Sequence, residues 1–135
     1  MNILFFLTPK DEVEYVFDYN SLRQAMEKME YHKYSAVPII TSSGKYYGTL
    51  QDGDILWVIK DFKMNEKQLE MVKVSDIKLS RDNKSVSINT DINDLIEKTI
   101  NQNFVPVVDD NGIFIGIVKR QSIIKYCYDK LKNTI

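Results

Sequence analysis

The sequence is short of the residues that staple small secreted domains or hold metals. One cysteine, Cys127, occurs in 135 residues, so no internal disulfide can form and a reducing, cytoplasmic location is expected. Cys127 follows Ile123 and Ile124 and precedes Leu131 in an apolar-periodic stretch, which makes it a small core residue rather than a catalytic thiol. The single histidine lies in Tyr31-His32-Lys33-Tyr34 and reads as a helix-end or surface residue. A metal site needs several soft or nitrogen ligands, so none is expected. No apolar run approaches the ~20 residues of a membrane span, and no membrane association is expected. Charge of one sign is also missing. The 18 basic and 19 acidic residues leave a net charge of −1, whereas a nucleic-acid binder normally carries a basic excess. There is no nucleophile–base constellation, no glycine-rich phosphate loop and no metal cluster, so the chain is expected not to be an enzyme. The opening Met1-Asn2-Ile3-Leu4-Phe5-Phe6-Leu7 is apolar but lacks the basic start of a signal peptide, and it reads as part of the fold.

What the sequence does have is the composition of a soluble globular protein, 44% hydrophobic and 27% charged, and an internal repeat. Ala36-Val37-Pro38-Ile39-Ile40 matches Phe104-Val105-Pro106-Val107-Val108. Each is followed by a polar turn with glycine and then by a second apolar run with its own glycine, Tyr46-Tyr47-Gly48-Thr49-Leu50 and Phe114-Ile115-Gly116-Ile117-Val118. Pro38 and Pro106, Gly44 and Gly112, and Gly48 and Gly116 each lie 68 residues apart. Helical stretches follow, from Asp52 to about Phe62 and from Arg120 to about Leu131.

The repeat extends upstream. Ser21 and Gln24 have the form of a capping box ahead of Leu22, Ala25, Met26 and Met29 at helical spacing, and Asp91 caps a helix carrying Ile92, Leu95, Ile96 and Ile100. Short β-prone pieces precede them, Tyr15-Val16-Phe17 and Val86-Ser87-Ile88. Each half thus reads strand, helix, strand, turn, strand, helix. Asn111-Gly112 predicts a hairpin with both residues at positive φ. The two prolines predict strand starts or edges. Residues 63–73 form a linker, polar at first, after which Leu69, Met71, Val72, Val74 and Ile77 are expected to dock back. The division is 1–62, first repeat; 63–73, linker; 74–135, second repeat. Neither half is large enough to bury a sufficient core alone, which predicts one α/β (α+β) module of two β-α-β-β-α repeats packed with pseudo-twofold symmetry.

This pattern resembles the CBS domain family, named after cystathionine β-synthase, over roughly Ile3 to Leu131. The residues that carry it are the two proline strands, the Gly48-Thr49-Leu50 and Gly116-Ile117-Val118 strands, and the entry segments Leu7-Thr8-Pro9 and Val74-Ser75-Asp76-Ile77. A pair of CBS domains is a Bateman module, and the resemblance implies a regulatory unit that binds an adenosine-containing ligand between its repeats. AMP, ADP, ATP, S-adenosylmethionine and cyclic di-AMP are the ligands implied, with no other cofactor. It also implies a homodimer that signals to a separate, unknown protein partner. The family pattern is Gly, two apolar residues, Thr or Ser, two residues, Asp, with the Asp on the ribose hydroxyls. Asp54 occupies the ribose position, while Gln51 stands where Thr or Ser is expected. In the second copy Lys119 and Ser122 stand in place of Thr/Ser and Asp, so that site is degenerate, with Lys119 and Arg120 available to phosphates. Adenine is expected beside Val37, Pro38 and Ile39 and the entry residues Leu7 and Thr8.

Plainer explanations stand beside these. Asp54 is also a carboxylate at a helix start, where the dipole favours it. Lys119-Arg120 is also a solvated pair. Tyr31, Tyr34, Tyr46 and Tyr47 are read as hairpin and interface aromatics, and Trp57 as packing or dimer interface rather than ligand wall. The competing function is an interaction module without nucleotide binding, for which Asp54→Ala would change neither ligand response nor stability by much.

Overall fold

A computed structural model of the chain describes residues 2–134; Met1 and Ile135, at the ends of the predicted repeats, lie outside the described residues. The strands are β1 (Leu7–Pro9), β2 (Val16–Phe17), β3 (Ala36–Ile40), β4 (Tyr46–Gln51), β5 (Val86–Ser87), β6 (Phe104–Val108) and β7 (Phe114–Lys119). The helices are α1 (Leu22–His32), α2 (Asp52–Phe62), α3 (Glu66–Leu69), α4 (Ile92–Thr99) and α5 (Arg120–Thr134), with 3₁₀ turns at Ile3–Phe6, Lys10–Glu12 and Val74–Asp76. The β-α-β-β-α order of each repeat is as the sequence predicts.

The chain divides into two compact units that cut across the repeats. One is contiguous, Glu14–Asp82; the other joins the chain up to Val13 to the chain from Asn83 onward. The contiguous unit has a three-stranded sheet in the order β2-β3-β4, with β2 parallel and β4 antiparallel to β3. Helix α1 starts on the predicted capping box: the Gln24 amide donates to Ser21 Oγ at 3.1 Å and the Ser21 amide to Gln24 Oε1 at 2.9 Å. Leu22, Ala25 and Met29 recur every three or four residues and are buried on the sheet with Val16, Val37, Ile39 and Leu50. Burying each large aliphatic side chain here contributes about 1.5–3 kcal/mol. The linker returns to this core. Asn65 caps the short α3, Leu69 and Val74 are fully buried, and the Val72 carbonyl accepts from the Leu22 amide at 2.8 Å. Met71 does not dock as expected: it is 83% exposed, because the turn after α3 carries it outward between the buried Leu69 and the half-buried Val72.

The second unit is a four-stranded sheet, β1-β7-β6-β5. Its first strand comes from the beginning of the chain, pairing Leu7 with Val118, Thr8 with Ile117 and Pro9 with Gly116. Ile3 is buried in the same core as Val86, Leu95, Val105, Val107, Val118 and Ile123, and the half-buried Cys127 packs against that core. The expectation that the opening apolar run belongs to the fold is met from Ile3 onward.

Two expectations about backbone chemistry are corrected. Both prolines sit mid-strand in interior strands. They are tolerated because β2 pairs β3 only at Ile39 and Ile40, and β5 pairs β6 only at Val107 and Val108, so each proline has a neighbouring strand on one side alone. The loop after β6 is not a two-residue turn with paired positive φ. Gly112 alone is left-handed, at φ 80°, and the Asp109 carboxylate accepts from the amides of Asn111 and Ile113. That is a longer loop around an aspartate-braced turn closed by glycine.

Tyr46, at the start of β4, is hydrogen-bonded to the buried Thr49 hydroxyl at 2.7 Å. Burial pushes its phenol up to about 12; the Thr49 bond opposes the rise and Asp82 adds to it. The folded state therefore holds this proton more tightly than the unfolded chain, so the contribution is intact below the ordinary tyrosine value and is lost as pH rises towards 12. Between about pH 10 and about pH 12 the wild type is expected to lose about 1–2 kcal/mol more stability than Tyr46→Phe, with allowance for partial exposure. Parallel pH profiles of the urea midpoint check this; superimposable slopes would remove Tyr46 as the alkaline-sensitive group.

Candidate functional site

The first repeat turns from β4 into α2 at Gln51, and Asp54 falls on the third residue of the helix. From there its carboxylate reaches back. The Gln51 amide donates to Oδ2 at 2.9 Å, and the Ser80 amide donates to Oδ1 at 2.9 Å. Asp54 is only 3% exposed, so both bonds are made largely out of water, where they are strongest. One side chain thus caps α2 and fastens the segment that follows the Val74–Asp76 turn.

Between α2 and that segment lies a cavity of about 730 Å³ within the contiguous unit. This is within the roughly 300–1,000 Å³ of small-molecule sites. Asp54, Trp57, Val58 and Asp61 line it from α2 at helical spacing, and residues 76–80 close the facing wall, with Leu79 also covering Gly48. Trp57 was expected to be packing or interface and not a wall. It lines the cavity while remaining 53% exposed, because it stands one turn beyond Asp54 on the same face.

The sequence-predicted residues fall into two groups, one in each unit. In the contiguous unit Val37, Pro38 and Ile39 are buried in β3, and Gln51 is half-buried at the end of β4. Of the predicted residues only Asp54 lines the cavity. In the other unit Leu7 and Thr8 lie on β1 beside β7, Lys119 ends β7 in solvent, and Ser122 is half-buried in the first turn of α5. Arg120 opens α5 and its Nε donates to the Thr99 carbonyl at 2.8 Å, tying α5 to the end of α4. In both repeats the same bond ties the start of the last helix to the chain just before the proline strand. The Asp52 amide donates to Ser35, and the Arg120 amide to Asn103, each at 2.9 Å.

Sequence reasoning missed Trp57, Asp61 and residues 78–80. The first two were legible as positions three and seven residues beyond Asp54 on one helix face. Ser80 was not, since a bond from a backbone amide across 26 residues leaves no mark on residue type. No group of three or more His, Cys, Asp or Glu arranged to hold a metal occurs among the described residues, and no helix among them is long and apolar enough to cross a membrane.

Comparison with known proteins agrees with this architecture. A CBS domain protein from Streptococcus pneumoniae TIGR4 is 26% identical, with a TM-score of 0.84 over 95% of this chain and 87% of that one. The Listeria monocytogenes CbpB protein, solved in complex with c-di-AMP, is 22% identical, with a TM-score of 0.84 over 96% of this chain and 97% of that one. CBSX2, solved in complex with AMP, is 22% identical, with a TM-score of 0.74 over 95% of this chain and 96% of that one. No curated protein sequence matches the chain. The CBS domain profile matches twice, at residues 7–61 and 74–129, and the chain therefore belongs to the CBS domain family as a tandem pair of repeats.

Proposed function

We propose that the chain is a non-catalytic, ligand-sensing module that binds an adenosine-containing molecule at the Asp54 cavity and passes the occupancy of that site to a partner protein. The observation that carries this reading is the buried Asp54 carboxylate on the wall of a ligand-sized cavity. Each carboxylate oxygen has a second lone pair beyond the one taken by a backbone amide, and a ribose diol supplies two donors. Solved relatives in complex with c-di-AMP and AMP support the ligand class. Binding changes partner contacts only if the ligand prefers one of two conformations. The exposed Leu56 and Trp57 on α2, and Ile124, Tyr128 and Leu131 on α5, support a homodimer formed through helix faces.

The competing reading, an interaction module without a ligand, is favoured by one observation: both Asp54 oxygens already have donors within the protein. A thermal-shift panel of adenosine, AMP, ATP, S-adenosylmethionine and c-di-AMP decides between them, with light scattering reading the dimer mass. A saturating ligand at about 100 times its Kd is expected to add about 2.7 kcal/mol of stability. If no adenosine compound raises the melting temperature, the sensing reading fails and the interaction module replaces it.

A further inference from the structure

The charge around the Asp54 cavity says which adenosine compounds it accepts. The charged residues on its wall are Asp54, Asp61, Asp76 and Lys78, three carboxylates against one ammonium. A helix start is ordinarily a place for phosphate, because its free amides and dipole attract anions. The start of α2 is already filled by the protein's own anions. Asp52 and Asp54 stand in its first turn; Asp52 Oδ1 accepts from the Gly53 amide at 2.8 Å, and Asp54 Oδ2 from the Gln51 amide. A phosphate directed towards the helix start meets Asp54. Directed along the helix it meets Asp61, and across the cavity it meets Asp76. The matching turn of the second repeat has the opposite charge, Lys119 followed by Arg120, with no acidic residue in the first turn of α5. The remaining walls are largely apolar and include the ring of Phe62, whose face attracts cations, and that of Trp57, over which Lys60 Nζ already stands at 5.2 Å from the centroid.

We propose that the cavity selects adenosine compounds bearing positive charge or none, and so favours a sulfonium nucleoside over phosphorylated adenosines. This rests on the reading of the cavity as an adenosine site and narrows it. Calorimetric titration of the full chain at low salt uses S-adenosylmethionine, adenosine, AMP, ATP and c-di-AMP as probes. S-adenosylmethionine is expected to bind at least tenfold more tightly than AMP, adenosine to fall between them, and ATP to bind more weakly than AMP. Asp61→Asn combined with Asp76→Asn, both at exposed positions, is expected to narrow the S-adenosylmethionine to AMP ratio severalfold. AMP or c-di-AMP binding as tightly as S-adenosylmethionine, or a ratio untouched by the double substitution, would overturn the charge selection and leave the adenosine site standing. Failure of every probe, adenosine included, would overturn the site itself and the selection with it.

Discussion

Replacing Gly116 by alanine is expected to lower stability by about 3 kcal/mol or more and to strip β1 from its sheet. A Cβ at this position would lie 2.2 Å from the Thr8 carbonyl oxygen, 2.9 Å from Leu7 Cδ1 and 3.1 Å from Pro9 Cα. Two of those three atoms are backbone, and the backbone concerned is paired to Gly116 itself, so the clash can be relieved only by moving the strand. Movement of β1 also draws out Ile3, which is buried in the same core. Gly48, the equivalent residue of the first repeat, gives the contrast. There a Cβ would lie 2.7 Å from Leu79 Cδ1, the end of a flexible side chain that can rotate away. Gly48→Ala is therefore expected to cost about 1 kcal/mol or less. Urea denaturation of both variants, with limited proteolysis of the N-terminal segment, checks the pair. Equal losses at the two glycines would show that the strand exchange does not set the constraint.

The second large effect belongs to Asp54. Asp54→Ala is expected to destabilise the protein by about 2–4 kcal/mol with no ligand present, because it removes a helix cap and leaves the amides of Gln51 and Ser80 without their acceptor. The interaction-module reading carried the expectation that the substitution would leave stability nearly unchanged; the two hydrogen bonds give the opposite expectation. Whatever Asp54 does for a ligand, it has structural work at the start of α2. Asp54→Asn keeps one acceptor oxygen and is expected to lose about half as much. Chemical denaturation of the ligand-free variants tests this, and a loss below about 0.5 kcal/mol for Ala would mean that water replaces both bonds without penalty. Binding studies should therefore compare the wild type with the Asn variant under conditions where both are fully folded.

Much of the architecture was legible because it is written in local signals. The spacing of three glycine and proline pairs exposes the duplication, Ser21 and Gln24 mark the start of α1, and the Asp52–Phe62 helix has the predicted bounds. What could not be read is which sheet a strand joins. Leu7-Thr8-Pro9 carries a β-compatible sequence but no mark of a partner more than a hundred residues away. The same limit applies at the site. Asp54 was identified through the resemblance, from its place after Gly48 in the family pattern, whereas its donor Ser80 lies beyond any local pattern. The prolines were misplaced for a related reason, since their tolerance depends on how short β2 and β5 are.

The way the chain is shared between the two units also sets an order of events during synthesis. Glu14–Asp82 is a continuous stretch and can collapse on its own core as soon as it leaves the ribosome. The segment before it emerges earlier yet has no strand to pair with until β7, more than a hundred residues later, has been made. For most of that time Ile3, Leu4, Phe5, Phe6 and Leu7 are an unpaired apolar leader on a folded body. Nascent chains of this protein should accordingly present that leader to holding chaperones, and release it only when the last strand is complete.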